Sequence, residues 1–581
     1  MRTLHDHLRV YLSKKILAAL SEPGSFKVEE LAEQFVEPPN SDLGDLAFGC
    51  FILAKNLKKA PPALAQELKA KIPLDQDLLS VEAAGPYLNF KFSSAKIGEA
   101  LLAPIRSGEH FQRTLTEKTP KTMIEFSQPN THKELHVGHM RNACLGDSLV
   151  RLLRYCDYEI ISSTFPGDVG THVAKCLWYL KYHNTEPMPA KDKGEWIGKI
   201  YSKAHLKLED ETGTAKEAEN REKLTAILHE LEAKKGEYFE LWKETKSWSL
   251  DLMKEVYAWA GIEFDHWYWE SDVDSDSVQY VKKLYQEGKL EKSEGAIGMN
   301  LEAEKLGFCL LLKSDGTGLY ATKDLELARR KFQDYQVENN IYVVDMRQEL
   351  HFKQVFKVLE KLDFPQAKNC FHLKYNFVEL PDGAMSSRKG NIVPLMELVH
   401  RMEDMVKTNY LSRYENEWPA EDIQRIATQV AQGAIKYGML RMDTNKKIVF
   451  DMNEWLKLDG ESGPFIQYSG ARIQSLLRKL GPVAASVQWK LLVHPAERKL
   501  MQSLMNFHSI VLGSSENYKP HLLCTYLYET AKRFNVFYHE CSIGQAETED
   551  LKQARLALSE ATGKILIQGL SLLGIPSPEK M

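Results

Sequence analysis

Glu125-Phe126-Ser127-Gln128-Pro129-Asn130-Thr131-His132-Lys133-Glu134-Leu135-His136-Val137-Gly138-His139-Met140-Arg141-Asn142 is the stretch on which the reading of this chain turns. A strand end, a turn, several histidines and a helix start coincide in it. Met123-Ile124-Glu125-Phe126 is a short apolar run carrying one carboxylate, and Ser-Gln-Pro-Asn after it is a loop signal. Leu145, Leu149, Leu152 and Leu153 then fall at helical spacing, so a helix is expected to open between His136 and His139.

Two histidines three apart at a helix start suit a polyphosphate, because that end presents unpaired N–H groups and partial positive charge. Gly138 removes a side chain where a base or ribose must press on backbone. Taken alone, the pair fits ordinary core or surface histidines as well. Zinc fits less: the metalloprotease patterns need Glu directly after the first His or directly before the second, and Glu134 stands in neither place.

Working outward, Glu159-Ile160-Ile161-Ser162-Ser163-Thr164 reads as a second strand leading into Pro166-Gly167-Asp168. Strand, helix, strand predicts an α/β, doubly wound parallel sheet of Rossmann type, with its ligands outside the carboxyl ends of the strands. Further on, Leu310-Leu311-Leu312 ends in Ser314-Asp315-Gly316 and a helix opening that sets Tyr320 and Asp324 one turn apart. A tyrosine and a carboxylate on one face could clamp a guanidinium, or could be a packing ring beside a capping acid.

The segment Asn130 to His139 closely resembles the HIGH segment of class I aminoacyl-tRNA synthetases, and its Ser-Gln-Pro-Asn and Lys-Glu lead-in resembles that of the arginyl-tRNA synthetase family. Gly383-Ala384-Met385-Ser386-Ser387-Arg388-Lys389-Gly390-Asn391 resembles the KMSKS loop, although alone it could be a solvated basic loop. Glycine-flanked cations of this kind can close over a leaving pyrophosphate. Ala384 and Ser387 occupy the two lysine positions of the general pattern. The resemblance implies that Lys133 takes over, assisted by Arg388 or Lys389. It implies His136, His139, Lys133, Arg388 and Lys389 as catalytic residues, and His136, Gly138, His139, Met385 and Ser386 around ATP. Glu125, Asn130, Tyr320, Asp324 and Gln348 would hold arginine. His172 stands where the family usually carries glutamine and is left out of the site.

The same resemblance implies four domains. Residues 1–118 would be an α+β domain on the tRNA elbow, and 119–398 the catalytic domain with a helical insertion over about 186–300. Residues 399–455 would be a helical stem-contact region and 456–581 an all-α anticodon-binding bundle. In detail, 1–20 reads as an amphipathic helix, 40–48 as a turn and helix start, Pro61-Pro62 as another helix start, and 81–92 as strand, tight turn, strand. Asp272-Val273-Asp274-Ser275-Asp276 imitates a calcium loop but lacks the glycine and glutamate that such a loop needs.

At 581 residues and 43% hydrophobic composition the chain has room for several cores, and its net charge of −5 confines any RNA contact to local patches. The 8 cysteines include no Cys-x-x-Cys pair, against a disulfide framework or structural zinc. No apolar run is long enough for a membrane helix and no signal-like segment opens the chain, so a cytoplasmic protein is expected. The expected partners are arginine, ATP with Mg2+ and tRNA(Arg), with no resident metal, no membrane and a monomeric chain. Family members commonly need bound tRNA before they activate arginine. A sister class I enzyme such as the cysteinyl one, a small HxGH nucleotidyltransferase and a catalytically dead tRNA-binding paralogue are the alternatives.

Overall fold

Thr122–Glu125 forms β1, all four of its residues buried, and it lies at the centre of a parallel sheet. The others are β2 (Ile160–Thr164), β3 (His266–Trp267), β4 (Asn339–Asp345) and β5 (Cys370–Tyr375), in the order β5-β4-β1-β2-β3. The chain moves one way from β1 to β3 and then returns to the other side for β4. The crevice at the carboxyl ends of β1 and β4 is therefore the topological switch point, where sheets of this kind bind ligands. Glu125 closes β1 and pairs in register with Tyr342 of β4 and Ser163 of β2. The computed structural model describes residues 7–21, 26–36, 38, 41–112, 114–116, 119–381 and 394–581.

Helix α1 (Val137–Tyr155) follows β1 and is buried along nearly its whole length. Gly146 makes that packing possible, because a Cβ there would lie 2.0 Å from the Phe126 ring. Helix Thr171–Tyr182 precedes the insertion, which holds helices Lys193–Asp210, Lys216–Glu232 and α2 (Glu237–Ala260), followed by α3 (Glu270–Gln286). The expected helical character fails towards 300. Glu291–Ser293, Ala296–Asn300 and Phe308–Leu312 form a three-stranded antiparallel sheet. Its last strand buries Cys309 and Leu311 on one face and exposes Leu310 on the other, an alternation of period two. Two further helices matter for the site, α4 (Tyr320–Tyr335) and α5 (Glu349–Lys361). The acidic run 272–276 lies inside α3.

By its contacts the chain divides into two units. Pro120–Arg154 and Tyr158–Trp455 make one; Met1–Thr119, Tyr155–Asp157 and Leu456–Met581 make the other. The second joins two regions that the sequence reads as separate domains. One is a four-stranded antiparallel sheet ordered Phe35–Val36, Leu46–Gly49, Tyr87–Phe92, Leu78–Ala84. The other is a bundle that includes Gly463–Leu480, Pro520–Glu540 and Glu549–Leu572. Asp45 ties them: buried, it accepts from Phe92 N–H (2.7 Å) and Gln502 Nε2 (2.7 Å) and pairs with Arg498. That role also corrects the reading of 40–48, for Leu46–Gly49 is a strand beside Tyr87–Phe92 and the helix waits until Phe51.

Candidate active site

At the start of α1 the His136 and His139 rings lie 4.0 Å apart. Gly138 N–H donates to His136 Nδ1 and His136 N–H donates to His139 Nδ1, both at 3.1 Å. An Nδ1 that accepts a backbone hydrogen bond leaves the proton of a neutral imidazole on Nε2. Burial pulls the His136 pKa down to about 4 and, helped by His136 and Lys133, holds His139 well below its usual value. Both rings are therefore neutral at pH 7, with Nε2–H donors set side by side. A Cβ on Gly138 would lie 2.9 Å from the His136 ring, so glycine keeps this pair in place.

The loop between β1 and α1 is fixed from several sides. Asn130 bridges to Gly167, with Thr131 N–H donating to Gly167 O at 2.8 Å and Gly167 N–H to Pro129 O at 3.1 Å. His132 is fully buried at φ +63°. Its Nδ1 meets Thr131 Oγ1 and its Nε2 meets Thr245 Oγ1 of α2, each at 2.8 Å, and its N–H donates to Ser249 Oγ at 2.9 Å. Asn142 accepts from Ser127 N–H (2.6 Å) and donates to Val343 O (2.9 Å), so α1, its lead-in and β4 are stapled together. His172 donates Nε2–H to Gly167 O at 3.3 Å; burial, with Lys133 next, holds it well below its usual pKa.

The other end of the crevice is charged. Glu125 is buried, accepts from Gln128 Nε2 at 3.1 Å and forms an ion pair with fully buried Lys331 of α4. The Lys331 ammonium sits 4.4 Å from the Tyr342 ring centre. Burial, with the charges of Cys370, Glu125 and Asp324 adding to it, holds the Tyr342 phenol well above its usual pKa. Asp324 accepts from His351 Nε2 at 2.5 Å; burial opposes protonation of that histidine, and the Asp324 bond and charge together raise its pKa. Glu270 of α3, pushed up by burial, pairs with Lys323 at 2.5 Å, and Lys323 also reaches Asp274 at 2.9 Å.

The structure thus groups His136, Gly138 and His139 at the start of α1 with Lys133 in the loop before it, sets Glu125 and Lys331 beside Tyr342, and bonds Asp324 to His351. Gln348 is exposed just ahead of the helix that carries His351, and Tyr320 stands apart with 69% of its surface open. Met385, Ser386, Arg388 and Lys389 lie outside the described residues. Their flanks are anchored: Leu395 N–H donates to Leu135 O at 2.9 Å, and Val378–Glu379 pairs with Ile448–Val449. Buried Arg141 adds bonds to Asn376 O (2.5 Å) and Lys446 O (2.9 Å). Among the described residues no three potential metal ligands converge. Sequence reasoning passed over Glu270, Lys331, His351 and Asn142. Only His351 left a trace, at helical spacing after Gln348; the rest meet the site through tertiary contacts.

The model for "tRNA synthetases class I (R), catalytic domain" matches residues 101–452. That for "DALR anticodon binding domain" matches 466–581, and that for "Arginyl tRNA synthetase N terminal domain" matches 7–92. The arginine–tRNA ligase of Bdellovibrio bacteriovorus is 63% identical over 581 residues, 99% of this chain and 100% of the relative. That of Clostridium acetobutylicum is 34% identical, over 98% and 100% respectively. The solved structure of Thermus thermophilus arginyl-tRNA synthetase superposes with a TM-score of 0.80 at 27% identity, covering 99% of this chain and 100% of that one. With a doubly wound sheet, a histidine pair at its switch point and family matches spanning both flanks, the chain belongs to the class I arginyl-tRNA synthetases, the arginine–tRNA ligases.

Proposed function

We propose that the crevice at β1 and β4 carries out both half-reactions of arginine–tRNA ligation. The arginine carboxylate attacks the α-phosphate of ATP, the bond to the β-phosphate bridge breaks, and pyrophosphate leaves. A terminal hydroxyl of tRNA then attacks the arginyl carbonyl and AMP departs. The observation that carries this reading is the pair of Nε2–H donors fixed by backbone at His136 and His139. Preset neutral donors stabilise charge that grows on phosphate oxygens without reorganising when it appears. Lys133 supplies the cation beside them, with Arg388 or Lys389 from the loop; Gly138, Met385 and Ser386 complete the ATP end.

Glu125, Asn130, Tyr320, Asp324 and Gln348 take arginine, and Glu270 is a further buried acid within reach of Asn130: a Cβ on Gly167 would lie 2.3 Å from Asn130 Oδ1 and 3.0 Å from Glu270 Oε2. Magnesium travels with ATP as part of the substrate, where it neutralises the charge of the phosphates. Residues 1–118 grip the tRNA elbow, 399–455 its stem and 456–581 the anticodon, where exposed rings and cations can stack on unpaired bases. The enzyme works as a cytoplasmic monomer, and its eight free cysteines suit a reducing compartment. No helix among the described residues is long and apolar enough to cross a membrane.

Pyrophosphate exchange into ATP tests the reading directly, with arginine, lysine or cysteine and with or without total tRNA. Exchange with arginine alone among the amino acids, and only when tRNA is present, is expected. No exchange with any amino acid, in a chain that still binds tRNA, would leave the dead paralogue.

A further inference from the structure

Lys133 sits in the most tightly held part of the loop. On its N-terminal side is His132, in the left-handed region and bonded to Thr245 and Ser249 of α2. On its C-terminal side is Glu134, which packs against the insertion helix Lys193–Asp210 at Gly198. A Cβ on Gly198 would lie 2.6 Å from Glu134 Cγ, 2.9 Å from its backbone nitrogen and 3.1 Å from its Cα. No larger residue fits there unless the loop moves. Three residues on, and so on the same face of that helix, buried Tyr201 sets its ring centre 5.2 Å from the Lys133 ammonium. That distance is within the range at which a ring face attracts a cation.

We propose that Tyr201, seated by the close approach at Gly198, is a positioning residue for Lys133. A lysine stem is flexible, and its head is a point charge with no preferred plane. An aromatic face orients the ammonium and leaves it cationic. The insertion thereby sets the cation that this chain uses in place of the lysines absent at Ala384 and Ser387. The inference rests on the reading of Lys133 as the cation that serves the phosphates.

Tyr201→Phe keeps the ring face, whereas Tyr201→Leu keeps apolar bulk and loses it. Arginine-dependent pyrophosphate exchange in the full chain with tRNA should stay within about twofold of the parent for Phe. It should fall roughly 5–30-fold in kcat for Leu, with the arginine KM unchanged. Gly198→Ala should lower kcat as well, although alanine favours the helix it sits in. In a Lys133→Met background, Tyr201→Leu should cost nothing further. Equal rates for Phe and Leu, or an undiminished Leu effect without the lysine, would overturn the proposal. If Lys133→Met alone runs at the parental rate, the reading of Lys133 falls and the inference with it. If Lys133→Met is crippled while Tyr201→Leu and Gly198→Ala are normal, only the inference falls.

Discussion

The α1 end of the crevice and the β4 end are held by different forces. At α1, backbone N–H groups dock onto two neutral imidazoles and fix the proton of each on Nε2. Away from the histidines, buried acids already have partners on the protein: Glu125 is paired with Lys331, Glu270 with Lys323, and Asp324 is bonded to His351. Neutral donors held by backbone are ready before substrate arrives. Buried acids that already have partners must exchange or share them, so a cationic substrate competes with an internal cation. The first arrangement suits a charge that exists only in a transition state, the second a charge that the substrate brings with it.

Breaking an internal pair should give the largest effect. Lys331→Met leaves Glu125 buried and unpaired, which costs roughly 3–5 kcal/mol. Denaturant unfolding followed through the unit that contains β1 should show its transition shifted by that amount, and adding Glu125→Gln should recover most of it. A single mutant as stable as the parent would mean that the pair is not buried in solution, and the contrast between the two ends would lose its charged half.

At the other end, His139→Ala should leave folding unchanged and lower the exchange rate ~10²–10³-fold, the usual loss when one preset donor to a transition state is removed. Near-normal turnover would take His139 out of the mechanism. The contrast also predicts the kinetic form of the two losses. His139→Ala should act on kcat, while Asp324→Asn, which on the proposed reading removes a charge-assisted bond to the guanidinium, should raise the arginine KM ~10–100-fold with a smaller change in kcat. An unchanged arginine KM would move the guanidinium site elsewhere.

How much of this was legible in the sequence differs between the same two ends. The strand, turn and helix around 122–155 could be read because hydrophobic period and turn residues are local signals, and the histidine pair lies inside them. Glu125 and Asp324 could be named through family resemblance, but their partners could not. Lys331 follows Asp324 by seven residues on α4, and nothing in that spacing says that it reaches β1. Glu270 is one acid among many in a charged insertion until the fold puts it beside Asn130 and Gly167. The strand at Leu46–Gly49 hid for the same reason, because Asp45 finds its partners at Phe92, Arg498 and Gln502. The loop at 382–393 carries a readable motif but lies outside the described residues.

The smallest effect belongs to Tyr320, and it sharpens the comparison from the amino acid side. The Tyr320-to-Asp324 spacing suggests a clamp of two equal jaws, yet Asp324 has 17% of its side chain exposed and is bonded to His351, while Tyr320 is 69% open at the first turn of α4. A hydroxyl already solvated gains only about 0.5–1.5 kcal/mol from a new hydrogen bond, and an open site falls at the low end of that range. Tyr320→Phe should therefore change the arginine KM less than about threefold and leave kcat alone. A tenfold or larger rise would mean that the start of α4 folds over bound arginine and buries the ring. The charged end would then close on its substrate, where the histidine end stands ready without moving.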